Sequence, residues 1–460
     1  MSKTNSGMKL SDHFSTASLF RFAMPSIMMM IFTSIYVVVD GFFVSNFGGK
    51  TAFAAVNLIC PVILIAVTPA QMLGAGGSAL IAATLGEKKP DHARQQLSLL
   101  TLATAAAGTV LAVICFFNTD WFLSLLGCTP EMAPFASEYG RLLAPFLPFY
   151  MLQLYFQSIF VTAEKPQYGF YITLAAGLTN IILDYLLVDL MSMGVAGAAW
   201  ASNAGLVIGA VLPLFYFMEK RSSPLFFGGL KWNGKWLKQA CLNGCSEMLT
   251  AVSLSLVGIL YNWQLLCYIG ENGVSAYGVL MYVYTVFSAV FLGFTMGTAP
   301  ILSYNYGAGR KDELKRLLKR SLFIILASSG AMVAACLILA EPLSRLFAGY
   351  DPELLDLTIH AFKIYAWSFL FLGLAAYGSG FFTALNDGLT SAVISFLRAM
   401  IFETGAVILL PRVFGVNGIW YSIVFAEFAS TLLVILYLCI KRESFGCSKK
   451  HAAAYSIQKA

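Results

Sequence analysis

The sequence predicts an all-α integral membrane protein with twelve transmembrane helices in two pseudo-symmetric six-helix bundles around a central cavity. Of its 460 residues, 58% are hydrophobic and 11% are charged, and the mean hydropathy is +0.76. Soluble globular chains are about 25% charged, so this composition excludes that class. Two further observations are a series of long apolar runs and the recurrence of similar segments in both halves of the chain.

Twelve apolar runs are long enough to cross a bilayer, which takes about 18 residues or more. They must be helical, because lipid cannot satisfy free backbone N–H and C=O groups and the runs lack the alternating pattern of a barrel strand. We number these predicted helices 1 to 12, and they cover residues 17–46, 52–83, 93–117, 133–162, 168–190, 194–217, 239–268, 275–305, 315–340, 355–384, 390–411 and 414–440.

The basic residues predict how the helices are oriented. Lysine and arginine concentrate in alternate connections, including 88–94 and 310–320, whereas the opposite connections hold almost only Lys50, Arg345 and Arg412. Since positively charged loops stay in the cytoplasm, both termini are expected there. Membrane topology thereby explains the net charge of +6, and no nucleic-acid partner is expected.

The polar residue types that carry most enzyme chemistry form no recognisable group in this sequence. The nine cysteines include no CxxC pair and have no nearby histidine partner, so we interpret them as small buried hydrophobic residues. The four histidines are dispersed, and no Ser, His and Asp set suggests hydrolysis. The GAGGS segment at residues 74–78 lacks a following Lys-Ser or Lys-Thr and predicts close helix packing. We therefore predict no catalytic residues, no metal centre of this kind and no cofactor.

The two halves of the chain resemble each other. NFGGKTAFAAV, a long apolar run and LGEKKPDHARQQL recur about 222 residues later as YIGENGVSAYGV, another run and YGAGRKDELKRLL. MGVAGAAWAS at the start of helix 6 recurs as FGVNGIWYS at the start of helix 12. Each repeat has an even number of helices, so the two lobes should be parallel and related by an axis along the membrane normal. Two lobes that rock around a central cavity suit a transporter.

These boundaries define four predicted regions. The N-terminal lobe covers residues 1–217, and the C-terminal lobe covers 239–440. A cytoplasmic amphipathic linker at 218–238 joins them, and a basic cytoplasmic tail follows at 441–460. The linker sequence LKWNGKWLKQA, with Trp232 and Trp236 about one turn apart, predicts an interfacial helix.

Charges inside membrane spans are costly and are usually functional or paired. The strict list of candidates in the predicted spans is Asp40, Asp184, Glu247, Arg398, Glu403 and Glu427. Asp40, Asp184 and Ser202 lie seven or eight residues from the outer ends of helices 1, 5 and 6. At about 1.5 Å per residue, all three are roughly 12 Å below the outer surface. Asn180 precedes Asp184 by four residues on the same helix face, so these four side chains are expected to converge.

This predicted cluster suits cation coupling. Two close carboxylates can share a proton, or they can bind Na⁺ together with the amide oxygen and the hydroxyl. Alternatively, Asp40 and Asp184 each bond a neighbouring helix and serve packing alone. The cation-coupling residues predicted from the sequence are Asp40, Asn180, Asp184 and Ser202, with H⁺ or Na⁺ as the ion.

The second lobe does not copy this cluster. The repeat places Asn262 opposite Asp40 and Gly405 opposite Asp184, although Glu403 is near the latter position. Glu247, Asn262 and Glu403 are candidates for contact with a substrate or a second ion, while Glu247 could instead pair with a basic surface group. Arg398 is interpreted as a snorkelling residue, with Glu427 as its possible partner.

Three segments resemble the bacterial branch of the multidrug and toxic compound extrusion (MATE) family. They are MPSIMMMIFTSIYVVVDGFFVSNFGG, NIILDYLLV and GVAGAAWAS, and the resemblance extends over essentially the whole chain. It implies export of cationic lipophilic drugs or metabolites against an inward H⁺ or Na⁺ gradient, across a bacterial inner membrane. By the same resemblance Asp40 is the helix 1 coupling acid, Pro25 is the kink of that helix, and Glu247 is the helix 7 acid.

One departure from the family pattern concerns helix 10. The acid that some members carry there is missing from FLGLAAYGSGFFTALND, whose only acid is the terminal Asp387. The first lobe is therefore the better candidate for ion coupling. Small cationic or amphipathic substrates and the lipid bilayer are the expected partners, and the protein is expected to function as a monomer.

Other classes fit the sequence less well. A major facilitator also has twelve helices, but GEKKPDHAR matches its helix 2–3 loop pattern poorly. A flippase for lipid-linked oligosaccharides of the same superfamily is the main alternative, and it should carry basic residues in its cavity for a diphosphate. A membrane enzyme would need an acidic metal-binding cluster, and neither GEKKPDHAR nor GYDPELLD has suitable ligand spacing.

Overall fold

The computed structural model describes residues 8–47, 50–220, 223–349 and 351–442, and it contains helices but no strand within these ranges. Among the described residues, eleven helices are long and apolar enough to cross a membrane, and one pair of helices bent by 48° makes a twelfth span when counted as one. The predicted all-α membrane fold is therefore confirmed. We keep the names helix 1 to helix 12 for the observed spans.

The observed bounds lie close to the predicted ones. The spans are Thr16–Phe47 (helix 1), Lys50–Ala66 with Thr68–Gly86 (helix 2), Pro90–Phe117 (helix 3), Ala133–Leu143 with Leu147–Thr162 (helix 4), Pro166–Asp184 with the π-helical Tyr185–Leu190 (helix 5), Gly194–Met218 (helix 6), Gly234–Tyr268 (helix 7), Glu271–Gly307 (helix 8), Lys311–Ala348 (helix 9), Pro352–Tyr365 with Ser368–Ala384 (helix 10), Gly388–Phe396, the π-helical Leu397–Glu403 and Thr404–Phe414 (helix 11), and Val416–Ile440 (helix 12). A short helix, Thr119–Leu125, precedes helix 4.

The internal duplication is visible in the backbone. Glu164 and Asn386 occupy equivalent turns of the two repeats, and both have left-handed backbones, with φ of 62° and 57°. Gly194 and Gly415 also correspond, each with φ of 57° at the turn before the last helix of its repeat. The fifth helix of each repeat contains a π-helical segment. The repeated sequence thus produces repeated turns and a repeated irregularity.

The two lobes meet through helices 1 and 2 of the first and helices 7 and 8 of the second. Glycines permit the closest contacts: a Cβ atom added to Gly76 would lie 2.0 Å from the Ala240 carbonyl oxygen, and one on Gly86 would lie 2.1 Å from that of Tyr304. Gly76 belongs to the GAGGS segment, so the prediction of close helix packing there is confirmed. Gly86 ends helix 2 on the side of the membrane where helix 1 begins, and the lobes are closed against each other on that side.

The predicted linker helix is wrong in its first part. The structure is helical only from Gly234, where the Asn233 side chain accepts from the Lys235 N–H and caps helix 7. Asparagine favours this capping position over a helix interior, so Trp232 stays outside the helix. Trp236 lies within helix 7 and contacts the His92 ring at 5.9 Å between centroids. Most of the predicted basic tail, residues 443–460, lies outside the described residues.

Candidate functional site

The structure brings together the four polar side chains predicted to converge in the first lobe. Asp184 and Asn180 are buried in helix 5, and the Asn180 amide donates to the Ser202 hydroxyl of helix 6 at 3.4 Å. Asp40 of helix 1 lies within hydrogen-bonding reach of Asp184, Asn180 and Ser202. Three different helices thus contribute to one polar cluster inside the membrane-spanning region.

Four oxygens of this cluster lack a donor within the described part of the chain. Asp40 Oδ1, Asn180 Oδ1 and both carboxyl oxygens of Asp184 are buried and accept no hydrogen bond there. An ionised carboxyl can only accept, so the two acids can bond each other only when one is protonated. A buried anion without a partner is costly. The arrangement therefore suits a shared proton or a small cation with oxygen ligands.

Sequence reasoning missed part of the cluster's surroundings. Tyr36, Cys60 and Tyr139 lie within electrostatic range of Asp40, and the Tyr139 hydroxyl is within hydrogen-bonding reach of Ser202. Tyr36 precedes Asp40 by four residues on helix 1, a spacing that could have identified it. Tyr139 comes from helix 4, and no local sequence pattern connects it to helix 1. These neighbours are neutral side chains, so the first-lobe cluster keeps an acidic character.

A second buried group of charges lies in the C-terminal lobe. Arg398 Nε and Nη2 both donate to Glu427 Oε1, at 3.1 and 2.6 Å, and the two side chains are only 14% and 2% exposed. The interpretation of Arg398 as a snorkelling residue is wrong, because helix 12 presents a carboxylate within its reach and pairing replaces contact with the membrane surface. The suggestion that Glu427 is its partner is confirmed.

Arg398 and Glu403 line a cavity of about 80 Å³ within the second lobe. They lie five residues apart in the π-helical segment of helix 11, and a π-helical turn of i→i+5 brings such residues to one side. The cavity wall also contains Thr250, Leu254, Tyr284, Ser288, Phe291, Leu292, Leu372, Ala376, Ser395 and Ala399.

Glu247 belongs to the same charged group. It lies within electrostatic range of Arg398, and it precedes the cavity-lining Thr250 by three residues on helix 7. Arg398 is already paired with Glu427, so Glu247 and Glu403 remain as the acidic excess of the region. A polar and apolar wall with more acidic than basic groups suits the charged end of an amphipathic cation.

Two predicted residues lie apart from these groups. Asn262 is exposed and lines a different, open pocket of about 410 Å³ with Trp263, Leu266, Val274 and Ser275. The structure therefore does not bring Asn262 together with Glu247 and Glu403. Pro25 lies inside the continuous helix 1, where it removes one backbone donor, and its role as a kink stays a prediction.

Comparison with known proteins gives a consistent result. The sequence model of the MatE family matches residues 25–186 and 247–405. The Multidrug export protein MepA of Staphylococcus haemolyticus is 22% identical over 432 residues, which cover 92% of this chain and 94% of that protein. MepA of Staphylococcus aureus strain MSSA476 is 21% identical over 432 residues, with coverages of 93% and 94%.

Solved structures share the fold at 20% sequence identity. A MATE protein in complex with MaL6 has a TM-score of 0.91, with coverage of 97% of this chain and 100% of the other. An outward-facing multidrug resistance MATE transporter of the MOP superfamily has a TM-score of 0.90, with coverages of 97% and 100%. A MOP superfamily transporter from Pyrococcus furiosus, described as having a binding pocket of reverse polarity that suggests a different function, has a TM-score of 0.88, with coverages of 96% and 99%.

Proposed function

The chain belongs to the MatE family, whose members are transporters and not enzymes, and we propose that it is a secondary active antiporter for multidrug export. In this proposal it exports cationic lipophilic compounds in exchange for inward H⁺ or Na⁺. The relatives named as multidrug export proteins support this substrate range. We further propose that the protein acts as a monomer in a bacterial cytoplasmic membrane, with both termini in the cytoplasm.

The observation that carries the proposal is the first-lobe cluster, in which three carboxyl oxygens accept no hydrogen bond within the described residues. Asp40 and Asp184 approach each other inside a membrane-spanning lobe, with Asn180 and Ser202 beside them. A proton or Na⁺ bound there compensates the buried charge, and its release restores that charge. Binding therefore changes the electrostatic balance between helices 1, 5 and 6, and this change can bias the position of one lobe against the other.

The second-lobe cavity supports binding of the charged end of a cationic substrate, since its volume of about 80 Å³ is too small for a whole drug-sized molecule. Glu403 on the cavity wall and Glu247 nearby are the acids of this region beyond the Arg398–Glu427 pair, while Tyr284, Phe291 and Leu372 provide aromatic and apolar contact beside them. A flippase for lipid-linked oligosaccharides is not favoured, because the acids outnumber the single arginine of this described region. A diphosphate would require the opposite balance of charge.

The coupling ion is tested in proteoliposomes that hold only this protein. Uptake of ethidium into the lumen is recorded after a pH gradient is imposed without Na⁺, and then after a Na⁺ gradient at equal pH. We expect one of the two gradients to raise the ethidium concentration in the lumen above the concentration outside. An ionophore for that ion should abolish this accumulation. Equal, passive equilibration under both gradients would contradict antiport.

Replacing Glu403 with glutamine should weaken binding of cations selectively. The amide keeps the size of the side chain and removes its charge, so a permanent cation loses an attraction worth about tenfold or more in affinity. Binding of ethidium and of a neutral phenanthridine with the same rings is measured by fluorescence titration. Glu341→Gln, an exposed acid paired with Arg345, is the control. If both ligands lose affinity equally, Glu403 has a structural role instead.

A further inference from the structure

Residues 8–15, which precede helix 1, run across the ends of both lobes. Their contacts with the second lobe are polar and apolar. His13 Nδ1 lies 3.0 Å from Glu313 Oε2, and the Arg310 guanidinium donates to the Ser11 carbonyl at 2.9 Å. Arg310 and Glu313 lie at the start of helix 9, so this end of the segment is attached to the second lobe.

Buried apolar side chains strengthen this attachment. Leu10 and Phe14 are each only 1% exposed and share a core with Leu314 and Leu317 of helix 9. The same core includes Phe22 of helix 1 and Val161 of helix 4. Arg320 of the same helix donates to the Phe14 carbonyl. The segment is thus packed between helix 9 of the second lobe and helices 1 and 4 of the first.

A polar contact with the first lobe is the hydrogen bond from the Leu10 N–H to Glu164 Oε1 at 2.8 Å. Glu164 lies in the turn between helices 4 and 5, where its backbone has a φ of 62°. Lys9, Asp12 and Lys165 lie within electrostatic range of its carboxyl group. The equivalent residue of the second repeat, Asn386, instead accepts from Asn243 of its own lobe. The bridge is therefore specific to one side of the duplicated structure.

We propose that residues 8–15 form a strap that holds the lobes together on the side of the membrane where helix 1 begins. The Glu164 to Leu10 hydrogen bond is the contact that breaks when this side opens. The strap spans the same end of the molecule at which Gly86 contacts Tyr304 across the lobes. The strap continues into helix 1 and is packed on helix 9, so the part of the first lobe that it releases is the turn between helices 4 and 5. This proposal rests on the alternating access of the proposed function.

The test measures the distance between the lobes directly. Spin labels are attached through non-canonical amino acids at the exposed Lys89 and Lys311, one in each lobe, so that the native cysteines remain. Distance distributions are recorded by pulsed electron resonance in lipid nanodiscs without substrate. We expect Glu164→Ala to increase the population with a longer distance at least threefold. Glu164→Gln keeps an acceptor oxygen and should stay close to the unsubstituted protein.

Two controls keep the result interpretable. Asn386→Ala removes a side chain from the equivalent left-handed turn without touching the strap, and it should leave the distances unchanged. A variant that unfolds would broaden the whole distribution, so Phe14→Ser, which loosens the strap from its other end, provides an independent measurement. Unchanged distances in both Glu164→Ala and Phe14→Ser would overturn the proposal. The measurement uses neither drug nor ion gradient, so it is independent of whether antiport occurs.

Discussion

Replacing Asp40 with asparagine is expected to abolish drug export while leaving the protein folded in the membrane. Asparagine has nearly the same shape as aspartate, but it neither takes up a proton nor carries the charge that attracts Na⁺. Asp184 would then lose its acidic neighbour in the cluster. The two acids could no longer share a proton, and coupling to the ion gradient should fail.

This outcome is measured in an efflux-deficient bacterium and in proteoliposomes. Resistance to cationic drugs should fall to that of cells without the transporter, while the amount of protein in the membrane stays the same. Asp120→Asn is the matched control, because Asp120 is exposed and pairs with Arg141 outside the cluster. Undiminished export by the Asp40 variant would show that the acid serves packing alone.

The first-lobe cluster could be predicted from the sequence because the distance of each residue from the end of its helix indicates its depth in the membrane. Asp40, Asp184 and Ser202 lie at similar distances from the ends of their helices, and helices of one lobe must pack together. The four-residue spacing from Asn180 to Asp184 adds a common face. The shared depth of these residues and the shared helix face were together sufficient to predict that their side chains lie close to one another. Tyr139 could not be found in this way, because its place depends on how helix 4 packs.

The second lobe shows where the repeat loses its predictive value. The duplication correctly predicts equivalent turns, such as those of Gly194 and Gly415. It fails for side chains, since Asn262 is exposed while its counterpart Asp40 belongs to a buried cluster. Equivalent positions share backbone geometry, but their environment depends on neighbours that have diverged between the halves. A repeat therefore predicts the path of the chain better than it predicts a binding site.

The environment of Arg398 could not be predicted from the sequence for a different reason. Its distance from the helix end permits either contact with the membrane surface or a partner in the interior, and the sequence does not distinguish between them. The choice depends on Glu427, which is 29 residues away on helix 12. The π-helical segment that brings Glu403 to the same cavity is also absent from any periodic pattern of the sequence. Tertiary packing therefore determines the charge balance of this lobe.

Breaking the Arg398–Glu427 pair from one side should destabilise the protein more than removing it altogether. Arg398→Met leaves Glu427, which is only 2% exposed, without its counter-charge, and such a loss costs about 3–5 kcal/mol. The double variant with Arg398→Met and Glu427→Met removes both charges and fills the space with apolar atoms. We expect its stability to lie near that of the unsubstituted protein.

Thermal unfolding in detergent, followed by the fraction that remains monodisperse, measures this difference. The single variant should have the lowest midpoint temperature, and adding the second substitution should recover most of the loss. Arg345→Met, which breaks an exposed pair with Glu341, is the control and should cost less than about 1 kcal/mol. Equal midpoints for the single and double variants would mean that the buried charge of Glu427 is compensated by another group. The recovery of stability therefore tests whether Glu427 is the group that neutralises the charge of Arg398. The proposed binding of cations beside Glu403 depends on this pairing.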